Sequence, residues 1–136
     1  MLQKNKITLI YIALGIYWIA LFIFTTIPSE SMPSIGISDK FEHFGAYFLL
    51  SSLFLLSAQL QNKYYFLSNK PIFYTIIIIL VYGAFDELHQ MLVPGRDCNI
   101  WDWTANLLGV IAGVYFTNLL FGNWIRKNKL ARATSY

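Results

Sequence analysis

The chain is short of the residues that soluble domains and covalent enzymes depend on. A single cysteine, Cys98, excludes an internal disulfide and any CxxC metal or redox motif. No GxSxG elbow is present and Cys98 has no evident base partner, so covalent catalysis lacks a candidate nucleophile. Charged residues make up only 12% of the 136 positions, about half the share usual in a soluble domain. There is no internal repeat, low-complexity stretch or linker, and the length suits one domain over residues 1–136. The net charge of +3 does not imply nucleic acid, because the basic residues sit at chain ends and in short loops and form no basic face.

What the chain has instead is apolar length. Hydrophobic residues fill 57% of it, more than a domain this small can hide from water, so the lipid bilayer is the expected solvent. A span needs about 20 mainly apolar residues to cross a core of about 30 Å. Four segments qualify: 7–27, 41–60, 71–92 and 101–121. The first follows Lys4 and Lys6 in the manner of a signal peptide, but its apolar run is too long and no small-residue cleavage site follows, which predicts a retained helix. Pro71 suits the first turn of the third span, and Pro94-Gly95 closes its far end. The β-branched run Ile76–Val81 would suit a strand in water; in lipid an open strand leaves its backbone unpaired, so a helix is expected. The fold class is therefore all-α, a polytopic membrane protein of four transmembrane helices.

Lysine and arginine predict the orientation. Of the ten basic residues, all but Lys40 and Arg96 lie on the termini or the middle loop: Lys4, Lys6, Lys63, Lys70, Arg126, Lys127, Lys129 and Arg132. That bias places both termini in the cytoplasm. The acids show the reverse pattern. Glu30, Asp39, Glu42, Asp86, Glu87, Asp97 and Asp102 all fall at the outer side, as do His43 and His89. Topology explains where the basic residues go, but it gives acids little weight.

Three stretches carry this outer cluster. At the start of the second span, Asp39, Lys40 and His43 share a helix face if the helix begins that early, and Tyr47 extends the stripe inward. Asp39 also has a structural reading as an N-cap. Late in the third span, Glu87 lies about 24 Å along the helix from Pro71, short of the outer edge of the core. Asp86, Glu87 and Gln90 fall within about 100° of one another, whereas His89 points away from Glu87. Arg96 follows in the loop; Asp102 and Asn106 then stack on one face of the fourth span. An unpaired charge at that depth costs on the order of 2–3 kcal/mol, so these groups should face inward, where ionisable residues are candidates for function. Each also has a structural reading as interhelical glue. Glu30 and Glu42 read as solvated rim charges, and Asp97 as a turn or salt-bridge residue beside Arg96.

Ala105, Gly109 and Gly113 form a small-residue stripe that permits close helix approach. Packing within the chain is the first reading and a homo-oligomer face the alternative. The tryptophans and tyrosines near the expected interfaces need no cofactor to explain them. His43, Glu87, Asp102 and His89 include metal-ligand types, but no HExxH-type spacing fixes an ion, and neither metal nor cofactor is assigned.

Asp39-Lys40-x-x-His43-x-x-x-Tyr47, Glu87-x-x-Gln90, Pro94-Gly95-Arg96 and Asp102-x-x-x-Asn106-x-x-Gly109 together resemble the VanZ-like family of small membrane proteins. The resemblance covers about residues 39–113 and shows no departure at those positions. It implies a multi-pass protein of the bacterial cytoplasmic membrane, in a family some of whose members are linked to teicoplanin and related glycopeptide resistance. It implies no known reaction. Within the cluster it ranks His43, Glu87, Gln90, Arg96, Asp102 and Asn106 above Glu30, Glu42 and His89.

Three functions compete on these residues. The first is a site for a polar lipid headgroup or cell-envelope precursor, with Arg96 and Lys40 offering cations to a phosphate or carboxylate. The second is an enzyme running acid–base or metal-assisted hydrolysis or transfer, with His43 as base. The third is a structural or interaction role for the cluster as an interhelical network. A channel or transporter also stays open.

Overall fold

The computed structural model describes residues 2–31 and 38–133, with backbone alone at 2–4, 6, 29 and 128–133. Five helices follow in order: α1 (Leu2–Thr26), α2 (Asp39–Leu60), α3 (Tyr65–Asn69), α4 (Pro71–Gln90) and α5 (Ile100–Ala133). A 3-10 turn covers Ser29–Ser31, and no strand occurs among the described residues. Helices α1, α2, α4 and α5 are each long and apolar enough to cross a membrane.

The boundaries differ from expectation where local chemistry says they should. α5 runs on past Phe121 to Ala133, because the basic tail holds good helix formers and no proline. α4 stops at Gln90, where Leu92 and Val93 donate back to the His89 and Gln90 carbonyls and tighten the end. Asp39 is the first residue of α2 and not its cap; Ser38 holds the cap position and makes no side-chain cap bond. The short α3 was not expected. Gln61 anchors its approach, accepting from the Tyr64 amide at 2.7 Å and donating to the Tyr64 carbonyl at 2.9 Å.

Burial is inverted relative to a soluble protein. Ile16 is 65% exposed and Ile19 64%, while Asp86 is 1% and Asn106 0% exposed. Large apolar side chains cover the outside of every span, far more than a water-soluble monomer leaves bare. A bilayer is the solvent that makes this arrangement favourable.

α2 is the hub, packing against α1, α4 and above all α5, while α1 leans on α2 and α4. Tyr47, Leu50, Leu55, Ile79, Val110 and Val114 form the central core. A second apolar cluster of Ile7, Leu60 and Ile125 closes the end nearer the lysines. The α2–α5 seam is tight because Gly109 and Gly113 present no side chain to it. A Cβ on Gly109 would strike the Phe44 carbonyl oxygen, and one on Gly113 the Phe48 carbonyl oxygen and the Ser51 hydroxyl. Across the same seam Ser51 donates to the Val110 carbonyl at 3.4 Å and Ser52 to that of Gly113 at 3.3 Å. Small residues and hydroxyls thus replace the hydrophobic effect, which gives helices no reason to associate in lipid.

Candidate functional site

The polar end of the bundle is assembled by the starts of α2 and α5, the ends of α1 and α4, and the loop 91–99. Helical periodicity does most of the placing. Asp39, Lys40, His43 and Tyr47 line one side of α2, and Asp86, Glu87 and Gln90 are all buried on one side of α4. In the loop, the Arg96 amide donates to the Val93 carbonyl at 3.1 Å. Pro94 and Gly95 occupy the central positions of that turn, and Gly95 has φ 74°, the backbone that a type II turn reserves for glycine. The turn brings Arg96 back over Gln90.

Glu87 is the hinge of the innermost network. Its Oε2 accepts the Asn99 amide at 3.3 Å and its Oε1 accepts Asn106 Nδ2 at 3.5 Å. With its amide nitrogen directed at Glu87, Asn106 turns its oxygen to His43 Nδ1, 3.0 Å away. That nitrogen also lies 3.6 Å from Glu87 Oε1. Two acceptors facing Nδ1 mean that it carries the proton. The opposite nitrogen, Nε2, points toward Asp39 Oδ1 at 3.7 Å, beyond hydrogen-bond length.

Lys40 and Asp102 form a separate pair. The ammonium lies 2.9 Å from Asp102 Oδ1 and 4.0 Å from Asp39 Oδ2. Donor atoms of Asp39, His43 and Asp102 lie within 4.8 Å of one another, the spacing a metal site would need. The Lys40 ammonium already supplies a cation between the two aspartates. His89 takes no part; its ring lies against Phe22 at 5.1 Å.

The third group borders an open cavity of about 390 Å³ between α1, α2 and α4. Tyr17, Ala20, Leu21 and Phe24 form its α1 wall, and Asp39, Glu42, His43, Tyr47, Asp86, Gln90 and Arg96 its polar side. Tyr47 donates to Asp86 Oδ2 at 3.0 Å. Arg96 Nη1 reaches Gln90 Oε1 at 3.5 Å, while Nε and Nη2 donate to the Ile27 and Phe24 carbonyls at 3.1 and 3.3 Å. The Phe24 carbonyl also accepts the Ile27 amide at 3.3 Å, and both carbonyls lie at the C-terminal end of α1, where a cation complements the helix dipole. Arg96 pairs with no carboxylate among the described residues, and the exposed Asp97 is not its partner.

The structure therefore gathers the expected residues of all three stretches at one end, but in two compartments. Lys40, Glu87, Asp102 and Asn106 stand behind α2 toward α5; Asp39, His43, Tyr47, Gln90 and Arg96 border the cavity. Asp86, which the family resemblance does not rank, and Glu42, expected as a solvated rim charge, join the second set. Helical phase placed Asp86 beside Glu87, yet only the cross-helix bond from Tyr47 singles it out. Gly109 and Gly113 face the α2 seam, and Ala105, one turn earlier on α5, is buried to 8% exposure.

Four spans, an apolar exterior and a buried polar cluster at one end define a multi-pass membrane protein whose polar groups are gathered into its own interior. Residues 13–121 match the family model described as VanZ/LLP1. The chain belongs to the VanZ/LLP1 family. No curated protein and no solved structure matches it.

Proposed function

We propose that the protein binds the polar headgroup of an amphiphile, a lipid or lipid-linked envelope precursor, at the extracytoplasmic end of its bundle in the bacterial cytoplasmic membrane. One observation carries this reading. The cavity joins an apolar wall to a polar floor holding two buried atoms without partners, Asp86 Oδ1 and Gln90 Nε2. A buried polar atom left unpaired costs about 1–3 kcal/mol, which a ligand group placed there would recover. The volume of about 390 Å³ lies in the range of small-ligand pockets and suits a headgroup rather than a whole lipid. The resistance-linked members of the family make envelope precursors the first ligands to try.

Native mass spectrometry of the purified protein with lipid extracts and envelope precursors tests the reading, using Ala20→Trp to fill the cavity from its α1 wall. Retention of one lipid class that the variant loses is the expected result. Equal retention by both proteins would place the lipid elsewhere and end the proposal.

A second reading, acid–base chemistry on the bound headgroup, is favoured by His43. The Asn106–Glu87 pair holds its Nδ1 proton and leaves Nε2 facing the cavity side, the arrangement a general base needs. Conversion of the retained lipid, lost in His43→Gln with binding intact, would distinguish the two. A lipid recovered unchanged leaves binding alone.

A further inference from the structure

We propose that the cavity selects a headgroup bearing a primary ammonium, with Asp86 as its counter-charge and Gln90 and Arg96 meeting an adjacent oxygen. This deepens the headgroup-site reading and rests on it.

The charge of the lining points to a cation. Three carboxylates, Asp39, Glu42 and Asp86, border the cavity against one fixed cation, Arg96. The three donor atoms of Arg96 that make contacts already serve Ile27, Phe24 and Gln90. Lys40 does not line the cavity, but its ammonium, 2.9 Å from Asp102 and 4.0 Å from Asp39, offsets the charge of Asp39 alone among the three. Glu42 makes no ion pair among the described residues. An anionic headgroup without an amine would meet the carboxylates of Asp86 and Glu42, which no cation offsets among the described residues; an ammonium would meet their complement.

The unpartnered atoms give the arrangement polarity. Asp86 is 1% exposed, and its Oδ1 has no donor while Oδ2 takes the Tyr47 hydroxyl. Gln90 is 3% exposed, and its Nε2 has no acceptor while its Oε1 faces Arg96. They stand four apart on α4, about one turn or 6 Å along the helix. The cavity thus asks for a donor at Asp86 and an acceptor a turn nearer the end of α4. An aminoalkyl phosphate fits, with its ammonium at Asp86 and its phosphate oxygen at Gln90 and the edge of Arg96. Tyr17, Tyr47 and Phe24 add aromatic rings to the lining, surfaces an ammonium also favours.

The test uses the whole protein in neutral micelles and native mass spectrometry. Phosphatidylethanolamine and phosphatidylglycerol of identical acyl chains compete for it, with water-soluble glycerophosphoethanolamine as a third arm. The expected result is a preference for the ethanolamine lipid of about tenfold or more, the worth of one charge-assisted hydrogen bond. Asp86→Asn keeps an oxygen for Tyr47 and should abolish the preference. Glu42→Gln, at a half-buried position that makes no ion pair among the described residues, should reduce it even if the Asp86 variant fails to fold. Equal retention of both lipids, sensitive to Ala20→Trp, overturns the ammonium proposal and leaves the headgroup site standing. Retention of neither overturns the ammonium proposal, and the panel of lipid extracts and envelope precursors then decides the headgroup site. Displacement by the soluble headgroup supports recognition of the head alone, and failure to displace supports the same chemistry with the lipid as its required source.

Discussion

Replacing Gly109 with alanine probes how the polar end is held together. The added methyl would strike the Phe44 carbonyl oxygen and stand 3.1 Å from the Phe48 nitrogen, backbone atoms of α2 that cannot rotate out of the way. The helices must part instead, and a gap of about 0.5–1 Å forfeits a quarter to a half of each contact along the seam. Overpacking of this kind costs about 1–3 kcal/mol. Alanine also gains about 1 kcal/mol over glycine in helix propensity, which would mask part of the loss. Gly15→Ala supplies the control, because a Cβ there meets nothing within 4 Å. Measured against it, the propensity gain cancels and the full clash of about 1–3 kcal/mol remains. The damage should reach the site, since His43 precedes Phe44 and Asn106 lies one turn before Gly109. Parting the seam lengthens their 3.0 Å bond toward the limit of a hydrogen bond. Reversible unfolding in mixed micelles, followed by tryptophan fluorescence against detergent composition, gives the difference directly. Should Gly109→Ala match Gly15→Ala within about 0.5 kcal/mol, the backbone contact does not hold the site and the reasoning fails.

Three further outcomes follow from the geometry. Cys98 is exposed in the loop between α4 and α5, so a membrane-impermeant maleimide should label it on intact cells; labelling only after permeabilisation would invert the orientation. Lys40→Met should lower the melting temperature by leaving the buried Asp102 carboxylate unpaired, and adding Asp102→Asn should restore much of it. Simple addition of the two losses would dismiss the pair. Arg96→Lys should loosen α1 alone, because one ammonium cannot serve the Phe24 and Ile27 carbonyls and Gln90 together. Hydrogen exchange should report α1 opening more readily by on the order of 1–3 kcal/mol, and unchanged α1 protection would refute the anchoring role.

The spans were legible because charge-free runs of about 20 residues have one stable solution in lipid. Spacing of four made Asp39, His43 and Tyr47 legible as a stripe, and the structure puts them on one side of α2. What spacing cannot carry is which helix a stripe meets. Asp86 and Glu87 are adjacent, yet one turns to Tyr47 and the cavity and the other to Asn106 and α5. Arg96 looked like a partner for anions, but two of its three acceptors are backbone carbonyls, which leave no mark in a residue pattern. Glu42 read as a rim charge because nothing local distinguishes a rim from the mouth of a cavity. The long α5 was obscured by the basic tail, whose charge marks the end of a span without ending the helix.

The pairing of early and late segments also bears on how the chain is made. Lys40 finds Asp102, and His43 finds Asn106 63 positions later. Until α5 leaves the ribosome, Lys40, His43 and Glu87 therefore sit in the membrane without these partners. A carboxylate left unpaired at the depth of Glu87 costs on the order of 2–3 kcal/mol against insertion. The first three spans are consequently an unfinished object, best kept at the insertion machinery until the fourth arrives. A nascent chain stopped before Ile100 would be expected to stay there, exposed to membrane quality control, so the arrival of α5 is what completes the polar network.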